Sequence, residues 1–218
     1  MHKISLVEPQ WWVDLLRKWQ DIQVKYWWIS DLAPIFSDVF VFIYPIFLIC
    51  VYIHAIIKRR KMQKQWALYI FFSTFFSVFV NILIQYFFLK DRPIVEFSHV
   101  EVEETFFHKW LPSSSFPSDH AVVSMSFAIA VLVRWIYSKK KFYIWSGIIL
   151  IFVALLMTSC RILTMVHRPT DILAWLCLWI IVPCILIIRP IRNFVISYFV
   201  NPIIKLEEWI VKKVFKFE

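Results

Sequence analysis

Five apolar runs, each close to the thickness of a bilayer, limit what this chain can fold into. They cover approximately Asp38–Ile57, Trp66–Leu89, Ala121–Tyr137, Phe142–Leu163 and Ile172–Ile188. Crossing about 30 Å of hydrocarbon takes roughly 20 residues of helix. A helix satisfies its own backbone hydrogen bonds there, which an open strand cannot do. The third run is the shortest and can extend back to Pro117. The chain is 61% hydrophobic with a mean hydropathy of +0.68, whereas soluble domains sit near 45–50% apolar. The expectation is an all-α integral membrane protein with about five transmembrane helices, built as one domain over residues 1–218.

Both ends carry amphipathic stretches. Trp11, Trp12, Leu15, Leu16 and Trp19 fall on one helical stripe, with Asp14, Arg17, Lys18 and Asp21 elsewhere. Such a helix suits the membrane interface, so residues 1–30 are read as an interfacial segment. The tail from about residue 190 to 218, with Phe194 to Phe217 as its core, is read as a second interfacial helix on the inner face. The beginning of the chain lacks the pattern of a cleavable signal peptide.

The net charge of +9 could suggest a nucleic-acid partner, but the cations sit between the apolar runs. Lys58, Arg59, Arg60, Lys61 and Lys64 separate the first two; Arg134, Lys139, Lys140 and Lys141 surround the end of the third; Arg189, Arg192 and Lys205 follow the fifth. Cytoplasmic loops carry such residues. The stretch Lys90–Asp119, with Asp91, Glu96, Glu101, Glu103, Glu104 and Asp119, is then expected outside, together with the turn at His167. No nucleic-acid partner is expected. The protein is assigned to the plasma (inner) membrane with its polar clusters facing outward.

Cys50, Cys160, Cys177 and Cys184 show no CxxC spacing and read as buried thiols. Gly147 is the only glycine, where average usage would give roughly 15.

Two polar clusters interrupt this apolar background. At Arg161 to Asp171, ionisable residues lie between two spans, a position that marks function by default. Pro169 suits the first turn of a helix, which puts Asp171 in that turn and His167 just ahead of it. Free N–H groups and the positive helix end make this an anion site. Asp171 can reach one imidazole nitrogen and leave the other as a nucleophile. At Pro117–Ser118–Asp119–His120 a polar loop meets another helix start. Ser118 can donate to a phosphate oxygen, and His120 can act as a general acid. Arg92, before Pro93, and Arg161 offer planar forks for the same anion.

The ordered set Arg92–Pro93, Pro117–Ser118–Asp119–His120 and Arg161-x5-His167-x3-Asp171 resembles the type 2 phosphatidic acid phosphatase (PAP2) superfamily. Its patterns are Lys-x6-Arg-Pro, Pro-Ser-Gly-His and Ser-Arg-x5-His-x3-Asp. The resemblance implies that His167 forms a phosphohistidine, Asp171 orients it and His120 protonates the leaving group. Arg92, Ser118 and Arg161 would hold the phosphate, with Lys90 nearby but out of pattern. No metal and no cofactor is implied. Three positions depart from the family: Gln85 for lysine, Asp119 for glycine and Cys160 for serine. Ser-Phe-Pro-Ser-Asp-His-Ala is similar to the bacterial undecaprenyl-diphosphatase branch. That implies hydrolysis of a polyprenyl diphosphate to the monophosphate, supporting carrier-lipid recycling for cell-wall synthesis. Phosphatidic acid or phosphatidylglycerophosphate is the alternative lipid substrate. A non-catalytic anion-binding transporter or scaffold is the rival of another class. Glu101, Glu103 and Glu104 read as a solvated face, with a weaker role in shaping the headgroup site. His54, His99 and His108 match no motif.

Overall fold

The computed structural model describes residues 10–87, 116, 118–164 and 166–215. Among these residues every regular element is helical, as the apolar runs require. In chain order they are α1 (Gln10–Lys25), α2 (Trp27–Val39), α3 (Ile43–Ile57), α4 (Lys61–Phe87), α5 (Asp119–Ser138), α6 (Lys141–Leu163), α7 (Pro169–Ile187), α8 (Arg189–Val195) and α9 (Asn201–Phe215). The chain is an all-α, multi-pass membrane protein. Helices α4, α5 and α6 each reach membrane length, as does Leu32–Ile57 across α2 and α3. Helix α7 has 19 residues, and the chain bends by 87° where it gives way to α8.

The first span begins earlier than its apolar run. It starts at Leu32 rather than Asp38, because α2 runs straight through that carboxylate. Arg161 supplies the compensating charge, 3.0 Å away. The joint between α2 and α3 is a tight 3₁₀ turn, Phe40–Phe42. Pro45 explains it, since it lacks the N–H that would bond Val41 and its ring crowds that carbonyl. The third span likewise starts at Asp119, two residues ahead of its apolar run.

Helix α5 is the centre of the bundle, packed against α4, α6 and α7. Ala121, Val122, Ala128, Ala130 and Val131 form its buried face, with Tyr44, Ile70, Leu150 and Trp179 around it. Lipid faces the remaining large side chains, such as Phe75, Phe79, Trp145 and Phe152, which stay exposed on the protein. Gly147 sits where α6 meets α5. A Cβ built there would stand 3.0 Å from Leu132 Cβ and 3.1 Å from Leu132 Cα. Small residues let membrane helices approach this closely, which accounts for the position of the chain's only glycine.

The C-terminal segment departs from a simple interfacial helix. Pro190, lacking an N–H, cannot donate to the Leu186 carbonyl one turn back, and Tyr69 Oη donates to it instead. After α8 comes a π turn, Ile196–Val200. Val195, Val200 and Ile204 then pack with Tyr69 and Leu186. Lys64 Nζ donates to Glu207 Oε1 at 2.9 Å, and Tyr52 Oη to Glu207 Oε2 at 2.7 Å. Gln65 Nε2 donates to Asn201 Oδ1 at 3.0 Å. The tail is therefore bolted to α3 and α4. At the other terminus, Trp11 and Trp12 stack at 4.2 Å, Trp12 buried and Trp11 exposed.

Candidate active site

The ends of α2, α4, α5, α6 and α7 opposite the basic turns converge on a polar cluster. Arg161 lies in the last turn of α6, which ends at Leu163, and the chain then folds back on itself. Thr164 N donates to Cys160 O at 2.9 Å, and both Val166 N and His167 N donate to Arg161 O at 3.2 Å. These bonds tie His167 to the backbone of Arg161, in the last turn of the helix. The next helix opens at Pro169, with Asp171 in its first turn. Asp171 Oδ2 accepts from Arg168 N at 3.0 Å, which caps α7 with a carboxylate at its positive end. Arg161, His167, Arg168 and Asp171 are all buried, Asp171 completely. The aspartate has a part in fixing this turn through the backbone of Arg168.

Ser118 is the N-terminal cap residue of α5; its carbonyl accepts from Val122 N at 3.1 Å. Its hydroxyl is buried, with no hydrogen-bond partner among the described residues. Such a group normally has one, and a phosphate oxygen at the helix N-terminus would supply it. His120 is the second residue of the same helix, in its first turn.

Asp38 joins the two clusters. Arg161 Nη1 donates to Asp38 Oδ1 at 3.0 Å and to Ser37 Oγ at 3.1 Å. The same carboxylate oxygen stands 4.0 Å from His120 Nε2. The Asp38 side chain is 70% exposed while that of Arg161 is 8% exposed. The site thus has an open side at Asp38 and a closed side at Arg161. One clue to this role is present in the sequence. Within Leu32–Ile57, Asp38 is the only Asp, Glu, Lys or Arg, and a carboxylate in an apolar span needs a partner.

A second set of contacts holds the start of α5. Asp119 Oδ1 accepts from Asn81 Nδ2 at 2.6 Å and from Gln85 Nε2 at 3.1 Å. Asn81 and Gln85 continue a buried line on α4 that begins at Ser73 and Ser77, each four residues apart. The two departures Gln85 and Asp119 are therefore bonded to each other. Cys160 is buried inside α6 as expected, whereas Cys50 and Cys184 are exposed on lipid-facing helix surfaces rather than buried. A hydroxyl that touches Arg161 comes from Ser37 of α2.

Of the remaining sequence-derived site residues, Lys90 and Arg92 lie outside the described residues. So do His99, Glu101, Glu103, Glu104 and His108. No group of three or more His, Cys, Asp or Glu side chains suited to a metal occurs among the described residues.

Comparison with known proteins gives the family. The sequence profile of the PAP2 superfamily matches residues 66–191, from near the basic end of α4 to the start of α8. The chain belongs to the PAP2 superfamily. It is similar to the Escherichia coli (strain K12) protein named "Putative undecaprenyl-diphosphatase YbjG", at 28% identity over 149 residues. That match covers 68% of this chain and 67% of the relative. No solved structure matches the chain.

Proposed function

We propose that this protein is a membrane lipid phosphatase that removes the terminal phosphate of a polyprenyl diphosphate, leaving the monophosphate. One observation carries the reading more than the others. Asp38 links Arg161 to His120 at the bundle end where His167, Asp171 and the buried Ser118 hydroxyl also lie. Family membership and the similarity to a relative named for undecaprenyl diphosphate support the substrate class.

In the proposed reaction an imidazole nitrogen of His167 attacks the terminal phosphorus. A P–N bond forms as the bond to the bridging oxygen breaks, and His120 gives its proton to that oxygen. Arg161 and Ser118, with Arg92 and Lys90 from the segment after α4, hold the phosphoryl oxygens. Preorganised donors of this kind stabilise the charge that develops during transfer. Asp171 keeps His167 in place through the turn it caps. His120, now neutral, then takes a proton from water as that water attacks the phosphohistidine. Free phosphate leaves and both histidines return to their first state. The positive charge for these steps comes from arginines and helix ends, and no metal is assigned. The site is assigned to the outer face of the plasma membrane, where the monophosphate re-enters carrier-lipid use for the cell wall.

Phosphate release by the purified full chain from undecaprenyl diphosphate and from phosphatidic acid tests this reading. The diphosphate is expected to be the faster substrate. His167→Ala should lower turnover at least a thousandfold with unchanged expression, since losing a covalent nucleophile is among the largest single effects. Preference for phosphatidic acid would overturn the substrate, and activity in His167→Ala would overturn the nucleophile. No turnover of any lipid by the native chain would favour a non-catalytic anion-binding protein.

A further inference from the structure

At the opposite end of the bundle from His120 and Arg161, the structure has a cavity of about 580 Å³. Ligand sites commonly span about 300–1,000 Å³. It opens beside the α3–α4 and α5–α6 turns and shares no residue with the candidate active site. Its walls change character with depth along α3. On the membrane side lie Phe47 and Phe142, whose rings stack in parallel at 6.1 Å with a 9° interplanar angle. At the polar rim lie His54, Arg60 and Lys140, contributed by three different segments. No carboxylate lines the cavity among the described residues. Gln63 adds its amide, whose Oε1 is buried with no donor among the described residues.

We infer that this cavity binds an anionic phospholipid from the leaflet at the basic end of the protein. The chemistry of the walls selects that ligand. Arg60 and Lys140 are exposed and flank the mouth, where a phosphodiester would neutralise them. The stacked aromatic wall meets an acyl chain. Gln63 Oε1 accepts from a headgroup hydroxyl, so a glycerol headgroup fits better than choline, which has no donor. A soluble anion would use the rim alone and leave the aromatic wall empty. Basic residues next to a membrane attract anionic lipid in general, but here two of them and an unsatisfied amide surround one cavity.

The test is native mass spectrometry of the detergent-purified full chain, titrated with dioleoylphosphatidylglycerol, dioleoylphosphatidylcholine and glycerol 3-phosphate. The native chain should bind the phosphatidylglycerol at least fivefold more tightly than the phosphatidylcholine. The headgroup analogue alone should bind far more weakly. Arg60→Gln with Lys140→Gln should weaken the phosphatidylglycerol roughly tenfold or more, each cation contributing several-fold. Lys58→Gln with Lys212→Gln removes the same charge from the same end without touching the cavity. It should leave binding within twofold of the native chain. His167→Ala should also leave it unchanged, which separates this lipid from one held in the candidate active site. Equal losses in the two double variants would reduce the effect to general surface charge and overturn the site. Tight binding of glycerol 3-phosphate alone would replace the lipid by a soluble anion and overturn it as well.

Discussion

Asp119 shows how a single residue can be misread when taken alone. As a departure from a glycine it adds a carboxylate to a helix start, where negative charge is favourable. Its Oδ1 takes two amide hydrogen bonds from α4, so it also fixes the angle at which α5, and with it Ser118 and His120, enters the site. Asn81 is fully buried and Gln85 nearly so. Removing their acceptor takes a hydrogen bond from each of these buried amides, at about 1–3 kcal/mol each. Asp119→Ala and Gln85→Ala should each lower the thermal midpoint in detergent. The double variant should lose about 1 kcal/mol less than their sum, within the range of coupled neighbours. A strictly additive result would mean that the two positions act independently. The motif residues His120, His167 and Asp171 were legible in the sequence because their spacing fixes their place at helix starts. Asp38 was not legible in the same way. Its partners are 82 and 123 positions away in the chain, 120 − 38 and 161 − 38, and only the packing of α2 against α6 brings them together. The apolar count stopped at Asp38 because it treats a charge as a boundary, whereas the helix continues through one that is paired.

At the scale of elements, the contact between α5 and α6 sets the width of the site, since α5 carries His120 and α6 carries Arg161. Gly147 is what lets those helices meet. Alanine has the better helix propensity by about 1 kcal/mol, yet its Cβ would press on the backbone of Leu132 at 3.1 Å. Overpacking of a tight contact costs about 1–3 kcal/mol, and a backbone atom cannot rotate away as a side chain can. The clash should win. Gly147→Ala is expected to lower the midpoint by about 2–4 °C for each kcal/mol lost, as for a chain of this size. A rise in midpoint would show that the helices separate freely. The helices themselves were legible from hydropathy because lipid imposes a length on each. The docking of the tail was not, since an amphipathic pattern reads the same against a bilayer as against a protein. Its pinning depends on Lys64 meeting Glu207 across 143 positions, together with the bend that Pro190 imposes.

The whole molecule has two chemically different ends. One gathers Lys58, Arg59, Arg60, Lys61, Lys139, Lys140 and Lys141 around two turns, and the tail adds Arg189, Arg192 and Lys205. Both of those turns contain a basic residue in the left-handed backbone region, Arg59 at φ 51° and Lys139 at φ 54°. Glycine adopts that conformation at lower cost, so these turns keep a charge at the expense of an easier turn. The other end gathers the candidate active site, with Arg161 and Arg168 buried among partners rather than displayed. Basic residues in short loops favour the cytoplasmic side, and on that ground we propose that the site faces outward. Single cysteines in a chain whose four native cysteines are serine test this directly. A membrane-impermeant maleimide applied to intact cells should label Glu104→Cys, in the acidic stretch before α5. It should reach Lys140→Cys only after the membrane is permeabilised, when both positions label. The reverse pattern would turn the protein over in the membrane. The diphosphate would then have to be hydrolysed on the cytoplasmic side, and the cavity at the basic end would draw its lipid from the outer leaflet.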